Sequence, residues 1–184
     1  MVITVYAGAQ TTVEQKYLSA AKELGCEIAK RGDVLMYGGG GTGCMGELAR
    51  GALANAGKVV GVVPRDMRGL NPLIPEQPDV NFIWTMNMAD RKGVMENNSD
   101  AIIVLPGGVG SMDEYFEALT LKGLHKDKKP IILLNLDGFY EPVLNVLRSF
   151  EEKGFLRQTV EELTAAAKDV KEAMRLIDEQ MNRE

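Results

Sequence analysis

The segment that most restricts the fold of this chain is 101–121. Its first five residues are an uninterrupted apolar run of strand type, and a glycine-rich turn at 106–110 follows at once. After the turn, apolar residues recur with the spacing of a helix, at Tyr115, Phe116, Ala118, Leu119 and Leu121. A strand that passes through a glycine turn into a helix directs backbone N–H groups and the positive end of the helix dipole toward one point. The segment therefore predicts an anion site, and phosphate is the expected anion.

Strand and helix patterns alternate through the rest of the chain. Strands are predicted over 2–6, 34–37, 58–63, 80–85, 101–105, 131–135 and 163–167. Helices are predicted over 13–31, 44–56, 88–97, 139–152 and 170–181, and after the turn to about 124. The 163–167 segment also has helical propensity, but the alternation favours an edge strand. This order is typical of an α/β fold, a doubly wound, mostly parallel, Rossmann-like sheet with helices on both faces, in one domain over 1–184.

Composition excludes several classes of protein. The net charge is −5, and no basic block stands out, which argues against a nucleic-acid partner. No apolar run approaches 18 residues, so no membrane span is expected. Cys26 and Cys44 are predicted to be buried free thiols, as is common in a reducing compartment, and the cytoplasm is the expected location. With a single histidine, the usual Cys/His metal spacings are absent, and no metal is predicted.

A glycine run at 38–46 follows the second strand. It contains GxGxxG as Gly41, Gly43 and Gly46, but the acidic residue expected about 20 positions later could only be Asp66, beyond Pro64. Three interpretations stay open: a turn that lets helix and sheet pack closely, a wall of a mononucleotide pocket, and an NAD site. No GxxxxGK[ST] motif occurs, so a P-loop nucleotide hydrolase is excluded.

The turn at 106–110 also has two interpretations. Ser111 and Glu114 have the spacing of a helix capping box. However, the glycines Gly107, Gly108 and Gly110 leave the backbone open to another molecule, which a cap does not require. These glycines favour a ligand site.

The helix over 88–97 carries the other candidate group. Met88, Arg91, Lys92 and Met95 share one stripe of this helix. A long basic side chain there could extend past apolar surface to water. Alternatively, this helix could begin at the same sheet edge as the glycine turn at 106–110. A fixed guanidinium there could hold a phosphate or orient a carboxylate.

These motifs resemble those of the LONELY GUY (LOG) family, the cytokinin riboside 5′-monophosphate phosphoribohydrolases, long labelled lysine decarboxylases. The family's PGGxGTxxE is matched at 106–114, with serine for threonine, its MxxRK at 88–92, and its GGGxxGLMG at 39–46 with a shifted glycine count. The resemblance covers about 2–150. It implies hydrolysis of the N-glycosidic bond of a nucleoside 5′-monophosphate, AMP or a cytokinin riboside monophosphate, to free base and ribose 5-phosphate.

By this resemblance Arg91 and Glu114 are the catalytic pair, and no cofactor is required. The implied nucleotide contacts are Lys92, Met88, Gly107, Gly108, Val109, Gly110, Ser111, Met112, Asp113, Thr120, Gly40 and Gly43. The resemblance also implies a homodimer or larger homo-oligomer with pockets near the subunit interface.

Some positions depart from the family pattern. Residues 8–10 read Gly-Ala-Gln where GSS is common, Val109 replaces a frequent aromatic residue and Cys44 a leucine, and Glu76 is the candidate for an acidic ligand residue. Two rivals stay open: a non-enzymatic nucleotide- or cofactor-binding module of the same fold, such as the molybdenum-cofactor carriers, and a pyridoxal-phosphate decarboxylase. The loop 64–78, which holds four prolines, is predicted to lie at the surface and is a candidate lid.

Overall fold

The protein is described by a computed structural model that covers residues 1–67, 69, 72–124 and 128–182. The strands are β1 (Val2–Tyr6), β2 (Val34–Tyr37), β3 (Lys58–Pro64), β4 (Val80–Thr85), β5 (Ala101–Val104), β6 (Ile131–Leu134) and β7 (Ala165–Ala167). The helices are α1 (Gln15–Lys30), α2 (Gly43–Leu53), α3 (Met88–Asn97), α4 (Val109–Gly123), α5 (Glu141–Glu152), α6 (Val160–Leu163) and α7 (Val170–Met181). Short 3₁₀ turns lie at Arg65–Met67 and Leu136–Gly138.

All seven strands form one parallel sheet in the order β4-β3-β2-β1-β5-β6-β7. One core, on the α1, α2 and α7 side, includes Leu24, Leu48 and Ile177, and the other, on the α3 to α6 side, includes Met95 and Tyr115. Because both faces are covered, central strands such as β5 and β6 are buried along their whole length. The expected doubly wound α/β fold is confirmed.

The strand order reverses between β1 and β5. The chain winds outward from β1 to β4 and then returns to the other side of β1 as β5. Adjacent loops at such a reversal leave in opposite directions and open a crevice at the carboxyl edge of the sheet. The loop after β1 and the glycine turn at 106–110 after β5 therefore lie side by side.

Most predicted elements are present, and the differences are local. The strand expected over 163–167 is β7, but Leu163 belongs instead to α6, where Thr159 and Glu162 form a capping box. The helix expected over 139–152 starts at Glu141, after a 3₁₀ turn at Leu136–Gly138 in which Asp137 has a positive φ of 50°. Helical periodicity did not predict α6 or the 3₁₀ turn at Leu136–Gly138, because each contains too few residues to show a period.

Two further expectations concern cysteines and loops. Both cysteines are unpaired, and Cys44 is buried, but Cys26 is only half-buried because it lies at the edge of the apolar stripe of α1. The loop 64–78 is tied to the first glycine run, because the Gly41 N–H donates to the Pro72 carbonyl over 2.7 Å. The described residues do not include 68, 70 and 71 of that loop. The sequence also predicts a solvated turn at 125–129, and its residues 125–127 lie outside the described residues. Among the residues described, no helix is both long and apolar enough to cross a membrane.

Candidate active site

A cavity of about 330 Å³ lies in the crevice between β1 and β5. This volume is within the range of about 300–1,000 Å³ that is common for small-molecule sites. Its wall consists of Ala7, Gly8, Ala9, Gln10, Gly38, Gly40, Met45, Val63, Pro64, Met67, Leu73, Met88, Arg91, Gly108, Val109, Gly110, Ser111 and Glu114. Loops after β1, β2, β3 and β5 contribute, so the cavity sits where a parallel sheet ordinarily binds its ligand.

Arg91 is held in the cavity wall by three contacts. Its Nε donates to the Val62 carbonyl of β3 over 3.1 Å, and its Nη1 lies 2.5 Å from Glu114 Oε1 and 3.9 Å from Met88 Sδ. The residue is only 9% exposed. The alternative in which this side chain runs out to water is therefore wrong.

The local sequence explains the position of Arg91. The Asn87 side chain caps α3 by accepting from the Asp90 N–H over 3.0 Å, so the helix begins at the carboxyl edge of the sheet. Arg91 comes one turn later and faces β3. Gly38 leaves room for it, since a Cβ on Gly38 would lie 2.3 Å from Arg91 Nη2.

Glu114 lies in the second turn of α4 and is 6% exposed. The capping-box interpretation is wrong, because α4 begins after Gly108 without a side-chain cap and Glu114 faces Arg91. Burial raises the pKa of Glu114 above its ordinary value, and the attraction of Arg91 for the carboxylate offsets only part of this shift. The site thus holds a carboxyl group in a dry wall with a cation as its partner, an arrangement that is common for acid–base groups in enzymes.

The second glycine turn presents bare backbone to the cavity. Gly108 and Gly110 both line it, and a Cβ on either would meet nothing within 4 Å. The first N–H groups of α4 have no intrahelical acceptors and lie at the positive end of the helix dipole. Gly107 differs, since a Cβ there would lie 2.3 Å from Ser111 Oγ, so its missing side chain makes room for the serine. The geometry is that of an anion site beside the Arg91–Glu114 pair.

The first glycine run is largely filled by the protein itself. A Cβ on Gly41 would come 2.7 Å from the Leu73 carbonyl oxygen, and one on Gly43, which has a positive φ of 58°, would come 2.5 Å from Ala9 backbone. These contacts support the interpretation in which the glycines let helix and sheet pack closely. They leave no open backbone at Gly41 and Gly43 for the pyrophosphate of an NAD. Gly40 does line the cavity, so this run also contributes one wall.

Several residues that the resemblance implies as contacts lie away from this wall: Lys92, Gly107, Met112, Asp113, Thr120 and Gly43. Lys92 joins the outer faces of α3 and α4, since its Nζ lies 3.0 Å from Asp113 Oδ2 and 2.5 Å from Glu117 Oε2. Thr120 donates to the Phe116 carbonyl and lies in a separate apolar groove.

Other wall residues were not among the sequence candidates. Val63 and Pro64 end β3, and residues 7–10 follow β1, so a known strand order would have placed them at this edge. Met45, Met67 and Leu73 reach the cavity from a helix and a long loop. Met45 lies inside the matched motif at 39–46 but was not named as a contact, and no periodicity or motif marks Met67 and Leu73.

Comparison with known proteins gives consistent relatives. Residues 45–177 match the protein family described as "Possible lysine decarboxylase". The "Cytokinin riboside 5'-monophosphate phosphoribohydrolase" of Mycobacterium tuberculosis is 38% identical over 173 residues, or 94% of this chain and 91% of that protein. The "Cytokinin riboside 5'-monophosphate phosphoribohydrolase LOG" of Oryza sativa is 33% identical over 177 residues, or 96% of this chain and 72% of that protein.

Solved structures resemble the fold. The molybdenum cofactor (Moco) carrier protein of Chlamydomonas reinhardtii superposes with a TM-score of 0.72 and 24% identity, covering 100% of this chain and 98% of that one. At that identity the likeness concerns the fold alone.

Proposed function

Since the chain belongs to the family described as "Possible lysine decarboxylase", whose relatives here are named cytokinin riboside 5′-monophosphate phosphoribohydrolases, we propose that it is an N-glycosyl hydrolase of nucleoside 5′-monophosphates. Its substrate is AMP or a cytokinin riboside monophosphate, and its products are the free base and ribose 5-phosphate. The observation that carries the proposal is the buried Arg91–Glu114 pair beside the bare start of α4 in one cavity.

The 5′-phosphate binds at the start of α4. The open backbone of Gly108 and Gly110 admits it, and the Ser111 hydroxyl and the Gln10 amide line the same cavity. The helix dipole and the free N–H groups favour a dianion there. Once the phosphate is held, the ribose is positioned over the Arg91–Glu114 pair, so binding energy at a remote group orients the reacting carbon.

Glu114 acts at the sugar. Cleavage of the C1′–N bond develops positive charge on the ribose, and a carboxylate in a dry wall stabilises that charge. The same carboxylate takes a proton from the attacking water, whose oxygen bonds to C1′ while the base leaves with the C1′–N electron pair. The base takes up a proton from solvent, and Glu114 then releases its own to solvent, so the protons balance. Arg91 keeps Glu114 ionised and aimed, because its guanidinium is fixed to the Val62 carbonyl and to Glu114 at once.

The two rival functions have weaker support. A Moco-carrier-like module needs the glycine turns but gives no reason for a buried arginine–carboxylate pair in the cavity wall. A pyridoxal-phosphate decarboxylase needs a lysine for the cofactor, and no lysine occurs among the described residues that line this cavity.

The decisive experiment is incubation of the purified protein with AMP, followed by assay for free adenine. Replacement of Glu114 by glutamine should lower kcat by a factor of about 10² to 10⁴, because the charge and the base are lost together. AMP binding should survive in this variant, since the phosphate contacts lie at Gly108 and Gly110. Near-normal turnover would remove Glu114 from the mechanism. A panel of nucleoside monophosphates, including N6-modified adenosine monophosphates, then identifies the preferred base.

We also propose that the chain forms a homodimer or larger homo-oligomer. An apolar groove between α4, α5 and α6 is lined in part by Phe116, Thr120, Phe150 and Phe155, and Phe155 is 78% exposed. Exposed aromatic patches of this kind mark protein interfaces. Sedimentation should show an oligomer for the wild type and a shift toward monomer for Phe155→Glu, and a monomeric wild type at micromolar concentration would refute the proposal.

The proposed compartment is the cytoplasm. Cys26 and Cys44 are both free thiols, as is common for proteins of a reducing environment. Fractionation of the source cells, followed by antibody detection, tests this assignment.

A further inference from the structure

A buried tyrosine outside the cavity wall contacts the turn that leads to the phosphate site. The Tyr140 hydroxyl donates to the Leu105 carbonyl over 2.7 Å, and the residue is 1% exposed. Leu105 directly follows β5 and precedes Pro106 and Gly107. Tyr140 therefore holds the last fixed peptide group before the turn, although it lies 35 residues away in the chain.

The Leu105 peptide is fixed from both sides. Its N–H donates to the Tyr6 carbonyl of β1 over 2.9 Å, and its carbonyl accepts from Tyr140. Leu105 is fully buried, so its carbonyl would lose a partner with no water at hand if the hydroxyl were removed. A free carbonyl at this point would let the peptide before Pro106 rotate, and the direction of the turn would change with it.

Tyr140 itself is held in place. Its N–H donates to Asn135 Oδ1 over 2.7 Å, and Asn135 Nδ2 donates to Glu141 Oε1 over 2.8 Å. The Phe139 ring packs edge-on against the Tyr140 ring with centroids 4.8 Å apart. These contacts fix the start of α5 and direct the hydroxyl across β6 toward β5.

The hydroxyl stays a donor at any working pH. Burial raises the pKa of Tyr140, and the backbone of Gly107 lowers that pKa by a smaller amount.

We propose that Tyr140 is a positioning residue for phosphate recognition, which sets the direction of the turn at 106–108 through its hydrogen bond to Leu105. This inference rests on the proposed function, since it assigns the turn to the 5′-phosphate. It adds a residue that neither touches the nucleotide nor belongs to either glycine motif. Tyr140 acts through the main chain at Leu105, and its loss is expected to weaken phosphate binding.

The test compares Tyr140→Phe with Tyr37→Phe. Tyr37 is also fully buried, and its hydroxyl has no hydrogen-bond partner among the described residues, so its loss should leave the turn unchanged. Tyr140→Phe should raise KM for AMP and Ki for inorganic phosphate about tenfold each, with kcat within about twofold of the wild type. Tyr37→Phe should leave all three constants at wild-type values.

A purely structural role gives a different result. The proposal is overturned if Tyr140→Phe lowers the midpoint of thermal unfolding while KM and Ki stay at wild-type values. It is also overturned if Tyr140→Phe and Tyr37→Phe weaken phosphate binding equally. If Tyr140→Phe does not fold, Asn135→Ala decides the matter, because this half-buried side chain holds the Tyr140 backbone. A rise in KM and Ki supports the role, and unchanged constants overturn it.

The experiment separates this inference from the proposed function. If the wild type releases no adenine from AMP, the proposed function fails. Calorimetric titration with inorganic phosphate then still compares the wild type with Tyr140→Phe.

Discussion

The two glycine turns of this protein look alike in sequence and differ in what occupies the missing side chains. In the run after β2, the space beside Gly38 holds the Arg91 guanidinium, and the space beside Gly41 holds Leu73 backbone. In the turn after β5, Gly108 and Gly110 face open space within the cavity. Both turns lie at the carboxyl edge of the sheet. The first turn is mainly a packing device, and the second is open to the cavity, where we propose that the phosphate binds.

This difference shows why a glycine motif alone is weak support for a ligand. Glycine permits close approach, but the neighbour that approaches can be a nucleotide or another part of the chain. The number of glycines does not tell them apart, since the filled run contains more of them than the open turn. The two turns can be distinguished by adding one methyl group to each.

The largest effect should come from the first turn. In Gly38→Ala the new Cβ would lie 2.3 Å from Arg91 Nη2, so the guanidinium must shift relative to Val62 and Glu114, which hold it. We expect kcat/KM for AMP to fall about 100-fold, as misplacement of a catalytic group by an ångström can do. Gly93→Ala on α3 is the control, because its Cβ meets nothing within 4 Å. Equal activity of the two variants would end the distinction between packed and open glycines.

A substitution in the second turn should have a smaller effect: the folded state should become more stable, and AMP should bind more weakly. In Gly110→Ala the methyl group meets no protein atom, and the change removes conformational freedom from the unfolded chain, so the folded state should gain about 0.4–1 kcal/mol. The same methyl group enters the proposed phosphate site, so KM for AMP should rise about tenfold. Thermal unfolding and steady-state kinetics on one preparation measure both. Wild-type KM in a more stable protein would show that the turn does not face the ligand.

The smallest effect concerns the pH dependence of kcat/KM, through the contact between Arg91 beside the first turn and Glu114 after the second. Because the pKa of Glu114 is raised and the proposed mechanism uses its carboxylate, kcat/KM should fall with decreasing pH through a limb that lies above the ordinary value of 4.5. In Gly38→Ala the shifted Arg91 favours the carboxylate less, so the limb should move to still higher pH. A limb that moves to lower pH, or does not move, would mean that Arg91 does not act on Glu114.

Much of the fold could be predicted from local patterns. The bounds of β2, β4, α3 and α7 agree with the sequence prediction, because continuous apolar runs and helical stripes depend on residues close in the chain. The short α6 and the two 3₁₀ turns were missed, since their caps depend on a few side-chain contacts. The pairing of Arg91 with Glu114 entered through a family resemblance, and each residue alone also fitted a structural interpretation.

By itself, the sequence determined all seven strands and six of the helices, and it placed each glycine turn between a strand and a helix of a mostly parallel sheet. Only the tertiary structure decided which turn is open, because that depends on the strand order that sets the phosphate turn beside the loop after β1 and on where Arg91 and Leu73 come to rest. It also brought Tyr140 to Leu105 across β6. These arrangements arise from contacts between residues far apart in the chain, and local periodicity contains no information about such contacts.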